Sequence, residues 1–384
     1  MAGRLAPINA DVLDWAIRES GLSEAELSQK ARIAESRLHS IVADREPPMT
    51  GEFKALAKAL ARPTAFFFRK NPPAKEAVPT AFRYPPGRDR EHPLTFSEQT
   101  AMRSAQRWQK IILWLREKNG ERLSALPSVI EPDNVTSLAD AMRSWLLWSI
   151  DEQRAATSAS AVLRALRLRI EEHGVLVLQS SIGKDSCRGF SLPNANTPVI
   201  VLNSAYNPQA RVFTLMHEVG HLMRGDMSVC GDPRDDKIER LCERAAATFL
   251  MPRAHVIDYL DRWIKVVKVD DVSHVRRVAN YYRVSLRAAA IRLAEIGRAA
   301  PGLYDKVQAV GFGDFDTAGF NPNAERQTTA TIRVRELGMG VPRALISAHQ
   351  NGLMSDVEIR RYLDVDKSQL QDIKNLISDS AIEA

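Results

Sequence analysis

The residue types best suited to chemistry lie in the stretch Phe213–Leu222, where His217, Glu218 and His221 form an H-E-x-x-H pattern. The apolar spacing around them predicts a buried helix. Residues four apart share one helix face, so the imidazoles of His217 and His221 can bind a single Zn²⁺. Glu218 is then placed to take a proton from a water molecule activated by the metal. The alternative is that these histidines lie at the surface or only pack in the core, and the sequence on either side of the pattern makes it less favoured.

A catalytic zinc needs three protein ligands and one open position, so two histidines are not a complete site. The extended pattern H-E-x-x-H-x-x-G-x-x-H is excluded, because Arg224 and Met227 stand where it requires Gly and His. A second predicted helix, 238–252, offers Glu239 and Glu243, which lie one turn apart on one face. Either glutamate is a candidate for the third ligand at this point.

The cysteine content and the hydropathy limit the class of protein. Three cysteines, Cys187, Cys230 and Cys242, are too few for a disulfide framework. Cys230 could reach a metal at His221, but a reduced buried thiol is the simpler interpretation. No apolar run has the length of about 18 residues that spans a membrane, and the first residues do not resemble a secretory signal, so we expect a cytoplasmic protein. The net charge of +6 permits an acidic partner without requiring one.

The length of 384 residues predicts several domains. Six prolines within 71–94 exclude a helix or a central strand there and predict a linker or an extended arm. We divide the chain into a helix-turn-helix domain, a Pro-rich linker, a helical connector, a catalytic domain and a C-terminal helical region, with the bounds 1–70, 71–94, 95–155, 156–300 and 301–384.

The predicted fold class is α+β and mostly helical, with a small sheet before the H-E-x-x-H helix. Three strand-like runs, 174–179, 188–192 and 197–203, are separated by Gly, Asp, Pro and Asn, and we expect them to form an antiparallel sheet. A single helix over 151–173 is expected just before them. In zinc peptidases a sheet edge beside the metal commonly receives the substrate as an added strand.

The N-terminal stretches 21–31, 36–41 and 53–60 resemble repressor-like domains of the XRE type, which contain a helix-turn-helix. The resemblance implies a recognition helix whose polar side chains face the major groove, here Ser36, Arg37 and Ser40. Residues 1–70 hold eleven Lys/Arg against nine Asp/Glu, however, and so weak an excess gives a monomer poor affinity for DNA. Binding to a protein is as consistent with this sequence as binding to DNA.

The stretches 211–222 and 239–252 together resemble the ImmA/IrrE family of metallopeptidases, and the strand-like run 198–203 extends the likeness. An XRE-type domain in front is a common arrangement in that family. The resemblance implies a gluzincin-like, thermolysin-related peptidase with Zn²⁺ as cofactor. It also implies a protein substrate, a DNA-binding repressor or an antitoxin, and no membrane partner.

Carried over by the same resemblance, His217 and His221 are zinc ligands and Glu218 is the general base. Glu239 is the third ligand, since it stands thirteen residues before Pro252, as the family pattern requires. Glu243 replaces an Asn of that pattern. It is either an acceptor that orients a histidine ligand or a competing ligand.

Two further points stay open in the sequence. The mechanism needs a donor for the oxyanion, and Tyr206 and His173 are candidates that nothing in the sequence selects. The alternative function is a DNA-binding transcription regulator, or an antitoxin-like protein, in which the metallopeptidase fold is inactive or serves as a sensor.

Overall fold

The chain forms two compact units in this computed structural model. The first consists of Met1–Val78 and Glu91–Arg103, and the second of Pro79–Arg90 and Ser104–Ala384. The predicted linker 71–94 lies largely outside the described residues, and the five-part division stays a prediction. Among the helices described, none combines the length and the apolar character needed to cross a membrane. The structure describes residues 5–73, 82–83, 94–121, 126–127, 129, 131, 133–225, 235–311 and 327–382.

The first unit is built from short capped helices. Its elements are α1 Ala10–Ser20, α2 Glu24–Ala31, α3 Glu35–Val42, α4 Thr50–Ala59, a 3₁₀ turn Thr64–Phe68 and the first turns of α5 Phe96–Asn119. A capping box of Ser23 and Glu26 begins α2, and three residues separate α2 from α3. The core of the unit is formed by apolar residues from each of α1 to α4, including Leu13, Leu27, Leu38, Phe53 and Leu56, together with Phe67.

The second unit is mostly helical, as expected. Its helices after α5 are α6 Val135–Leu146, α7 Ile150–Ala155, α8 Ala159–Glu172, α9 Pro208–Arg224, α10 Asp235–Leu250, α11 Arg253–Tyr259 followed by a π turn Leu260–Ile264, α12 Val272–Tyr282, α13 Leu286–Glu295, α14 Leu303–Val310, α15 Thr329–Leu337, α16 Gly340–Gln350, α17 Asp356–Leu363 and α18 Lys367–Ile382. A large apolar core joins α6 to α14 with two strands of the sheet.

The sheet is mixed, so the expectation of an antiparallel sheet is wrong in part. Its strands are β1 Phe82–Arg83, β2 Leu176–Ser180, β3 Gly189–Leu192 and β4 Val199–Asn203, in the order β1-β3-β4-β2. β3 is antiparallel to both β1 and β4, but β2 is parallel to β4. After β2 the chain first forms β3, two positions away in the sheet, and then returns to form β4 between β3 and β2. Composition locates buried strands but does not give their order.

The predicted single helix over 151–173 is also wrong, because the chain breaks between α7 and α8. Ala156 leaves the helical region with a ψ of 134°, and Ser158 then begins α8 by accepting a hydrogen bond from the Ala161 backbone amide. Serine favours such a capping position over a helix interior. The apolar periodicity continues across the break, which is why it predicts one helix.

Helix α9 lies at the centre of the second unit. It packs against α6, α8 and α10 and against strands β3 and β4. Almost every residue from Ala210 to Met223 is buried, the half-buried Arg211 and Phe213 being the exceptions. Polar groups on a helix this enclosed are costly unless they are paired or bind an ion.

Candidate metal centre

The H-E-x-x-H residues lie on a helix with well-defined ends. Asn207 caps α9 by accepting a hydrogen bond from the Ala210 amide, and Pro208 occupies the first turn. Gly225, in the left-handed conformation with φ 73°, ends it. The predicted helix is therefore present, with the histidine side chains inside the unit.

Three side chains from two helices converge beside α9. The Nε2 atoms of His217 and His221 are 3.1 Å apart. From α10, the Glu239 carboxylate reaches both rings, with Oε2 3.4 Å from His217 Nε2 and Oε1 3.3 Å from His221 Nε2. The ligand atoms all lie within 4.8 Å of one another. The His217 side chain is 0% exposed and that of Glu239 is 14% exposed.

Gly220 permits the close approach that brings Glu239 to the histidines. A Cβ at this position would lie 3.1 Å from Met142 Cε of α6, and 3.4 Å from Cys242 Sγ of α10. A side chain at this position would press on the flexible end of Met142 and touch Cys242, so glycine suits the close packing of α9 on α6 and α10.

Burial and the neighbouring charges act in opposite directions on His221 and on Glu239. Burial opposes the charge on His221, but hydrogen bonds from its ring to Cys242 and Glu239 outweigh this and raise the pKa of His221 well above its ordinary value. Burial would likewise raise the pKa of Glu239. Hydrogen bonds and charge from His217 and His221 reverse this and hold the pKa of that carboxyl far below its usual range.

The donor set fits a divalent cation of the zinc type. At Zn–ligand bonds of about 2.0–2.1 Å, tetrahedrally placed ligand atoms lie about 3.3 Å apart. The measured separations of 3.1, 3.4 and 3.3 Å match that spacing. Two imidazoles and a carboxylate are the set typical of a catalytic site with one open position, whereas structural sites favour cysteine.

The other residues considered for this site differ in burial. Glu218, beside His217 on α9, is buried with 1% exposure. Glu243 is exposed and does not belong to the group of side chains that the described residues place around a metal position. Met227 and Cys230 lie outside the described residues. The geometry thus brings Glu239 to the histidines and leaves Glu243 at the surface.

Neither candidate for the oxyanion donor lies in this group. The Tyr206 hydroxyl is within hydrogen-bonding distance of the Lys184 and Ser186 carbonyls, at 3.1 and 3.3 Å. The His173 ring packs on Trp145 at 4.7 Å between centroids. Both side chains have structural contacts that account for their positions.

The residues predicted to face DNA have mixed surroundings on α3. Ser36 is exposed, and the half-buried Ser40 donates to the Ser36 carbonyl. Arg37 is bound within its own unit, with two hydrogen bonds to Glu52 at 2.9 and 2.8 Å and a further ion pair to Glu46. Sequence reasoning missed this ion pair, and the signal for it was the pair of acidic residues nine and fifteen positions later.

Comparison with known proteins agrees with the location of this centre. Residues 170–294 match the model of the Peptidase_M78 family, described as the IrrE N-terminal-like domain. The radiation response metalloprotease IrrE of Deinococcus radiodurans is 39% identical over 74 residues, which cover 17% of this chain and 23% of that protein. Its counterpart in Deinococcus deserti is 38% identical over 74 residues, covering 17% and 26%.

The family match at 170–294 contains the metal centre, and the chain spans only about a quarter of the length of these two relatives. The family match implies a metal, and the group of His217, His221 and Glu239 offers a place for it. Residues 170–294, which contain the metal centre, are therefore similar to the Peptidase_M78 family in its IrrE N-terminal-like domain.

Proposed function

We propose that this protein is a zinc-dependent endopeptidase that cleaves a specific regulatory protein, such as a repressor or an antitoxin. The observation that carries the proposal is the convergence of His217, His221 and Glu239 at zinc-ligand spacing, with the buried carboxylate of Glu218 next to the first ligand. The resemblance of residues 170–294 to a metallopeptidase domain supports it.

His217, His221 and Glu239 would hold the zinc ion, which supplies a Lewis acid that polarises the scissile carbonyl and makes water more acidic. Glu218 takes the proton of the attacking water on its carboxylate and passes it to the leaving amine. His217, Glu218 and His221 are buried and the Glu239 side chain is only 14% exposed, so little bulk water screens the electrostatic interactions among them.

A regulatory substrate is favoured over general protein digestion by two observations. The relatives are named for a radiation response, which is a regulated process. The chain also carries a separate helical unit in which α2 and α3 are joined by a three-residue turn, an arrangement suited to recognising a partner. We propose that this unit selects the target.

The substitution Glu218→Gln tests the peptidase proposal, because it removes the base and keeps the metal ligands. We expect it to lower the cleavage rate about 10²–10⁴-fold while the zinc content stays at one ion per chain. The measurement is the appearance of new protein N-termini, by mass spectrometry, in lysate of the producing cell after addition of each zinc-loaded protein. Glu243→Gln is the matched control and should cleave like the wild type.

If the wild type and Glu218→Gln produce the same N-termini, or if neither the zinc-loaded wild type nor the zinc-loaded variant Phe82→Pro, in which strand β1 is weakened, produces any, the peptidase proposal fails. The Glu218→Gln protein also serves as a trap for the substrate. Co-purification with it, followed by mass spectrometry, is expected to identify a regulatory protein that the wild type releases in two fragments.

Binding of DNA by the first unit is the weaker alternative. Arg37 is held by carboxylates of its own unit, and the net charge of residues 1–70 is only about two. We expect affinity for duplex DNA to be weaker than about 1 μM at physiological salt, with a slope of log K against log [salt] near about −2. A titration at several salt concentrations measures both. Tight binding with a slope steeper than about −5 would instead favour a transcription regulator.

A further inference from the structure

The edge of β3 lies beside the face of α9 that carries the metal ligands. Gly189 of β3 packs directly on Thr214, since a Cβ at this glycine would lie 2.6 Å from Thr214 Cγ2. Thr214, His217 and His221 are spaced i, i+3 and i+7 and share one helix face. Thr214 is thus about one helical turn, or about 5 Å along the axis, before the first ligand.

Strand β4 occupies one edge of β3. All four residues of the strand pair with β4, from Gly189 opposite Leu202 to Leu192 opposite Val199. The other side faces away from β4. A peptide that paired with this side of β3 would pass Gly189, which touches α9 one turn before the metal ligands.

The chain itself places a strand on that side. Phe82 pairs with Phe190 and Arg83 with Gly189, antiparallel, to form β1. This strand belongs to the Pro-rich stretch between the units: Pro79–Arg90 is part of the second unit, whereas the chain on both sides of it belongs to the first. Within the predicted linker or arm, Phe82 and Arg83 are therefore paired with the sheet of the second unit.

The pairing is short. Pro79 and Pro85 flank the strand and cannot donate to a ladder, which limits how far it extends. Two paired residues supply at most one closely spaced pair of backbone hydrogen bonds. A longer extended peptide could replace them with more.

We propose that β1 is an autoinhibitory strand: the arm around Phe82 and Arg83 occupies the β3 edge on which a substrate segment must lie, and cleavage requires its displacement. The inference rests on the proposed peptidase function. It adds that the enzyme is restrained by its own chain, and that the target must present an extended segment able to compete for the β3 edge. Because both ends of the arm run into the first unit, binding of a partner there is the natural trigger for release.

A synthetic peptide of the arm, residues 78–88 with the sequence Val-Pro-Thr-Ala-Phe-Arg-Tyr-Pro-Pro-Gly-Arg, is the probe for this test. Its binding to the full-length protein is measured by fluorescence anisotropy. In the variant Phe82→Pro the intramolecular strand is weakened, since proline lacks the amide donor. With an effective concentration of about 1 mM for the tethered arm and a dissociation constant of about 100 μM for the probe, wild type should bind the probe about tenfold more weakly than the variant.

Hydrogen exchange supplies the second readout. The β3 amides from Gly189 to Leu192 should exchange faster in Phe82→Pro than in the wild type, and addition of the probe should restore their protection. Phe82→Val keeps the backbone donor and a residue that favours strands, so it should behave like the wild type. Arg83→Pro is an independent second variant, and zinc binding checks that each variant is folded.

Equal affinity of the probe for the wild type and both proline variants would overturn the proposal, because the edge would then be open in all of them. Unchanged exchange of the β3 amides in both proline variants would overturn it too, and so would failure of the probe to bind either variant. Neither readout involves cleavage, so this result and that of Glu218→Gln are independent.

Discussion

Two charged clusters, one in each unit, place acidic and basic groups at similar distances and yet differ in what they can do. In the first unit, Arg37 lies 2.8 Å from Glu52 and also pairs with Glu46. In the second, Glu239 lies 3.3 and 3.4 Å from two imidazoles. The Arg37 side chain is 23% exposed, whereas that of His217 is fully buried.

The difference lies in the basic partner. The guanidinium of Arg37 keeps its proton at any pH at which the protein is folded and has no lone pair for a metal, so its cluster joins α3 to α4 and the loop before it. An imidazole can lose its proton and offer a nitrogen lone pair. A buried pair of histidines facing one carboxylate can therefore exchange protons for a cation. Proximity of opposite charges alone does not identify a functional site.

The choice of the third ligand gives the largest effect predicted from this comparison. Glu239→Gln should weaken zinc binding about 100-fold or more, since loss of a ligand exceeds the 10–100-fold effect typical of an outer-shell change. Competition with a chelating dye measures the affinity. Glu243→Gln, one turn away and exposed, is the control and should retain wild-type affinity. If Glu243→Gln lost more zinc affinity than Glu239→Gln, the third ligand would be Glu243 and the assignment to Glu239 would be wrong.

The sequence predicts the local parts of both clusters well. The i, i+4 spacing of His217 and His221 puts them together on any helix, and the position of Glu239 relative to Pro252 follows the family pattern. The second predicted helix, 238–252, is present as α10 Asp235–Leu250, although its ends differ from the predicted ones by two to three residues.

What the sequence does not predict depends on contacts between distant segments. The parallel pairing of β2 with β4 depends on the path of the chain and not on the alternation of residues. The ion pair of Arg37 requires α3 and α4 to pack before Glu52 comes within reach. The strand β1 occurs in a Pro-rich segment that composition alone describes as a linker. In each case tertiary contacts override a correct local interpretation.

The packing around the metal centre predicts the next largest effect. In Gly189→Ala the added methyl would meet Thr214 Cγ2 at 2.6 Å and the Val201 carbonyl at 2.8 Å, and backbone cannot move aside easily. We expect a loss of about 1–3 kcal/mol in the free energy of unfolding. Gly51→Ala in the first unit is the control, since nothing lies within 4 Å of its added Cβ. Urea titration should show Gly51→Ala unchanged or slightly stabilised, and equal destabilisation by both would contradict this packing.

The Arg37 cluster predicts the smallest effect, with a distinct dependence on pH. The hydrogen bond from Arg37 holds the pKa of Glu52 below its ordinary 4.5, against the opposing effect of burial. A carboxyl whose pKa is lower in the folded state stabilises the fold above its unfolded pKa, and this contribution is lost as the pH falls through the folded value.

A double-mutant cycle of Arg37→Gln and Glu52→Gln should therefore give a coupling of about 0.5–1 kcal/mol at pH 7, since the pair is partly exposed, and progressively less below pH about 4.5. Zinc affinity should stay the same in all three variants. A coupling that persisted undiminished at low pH would mean that packing, and not charge, holds α3 to α4.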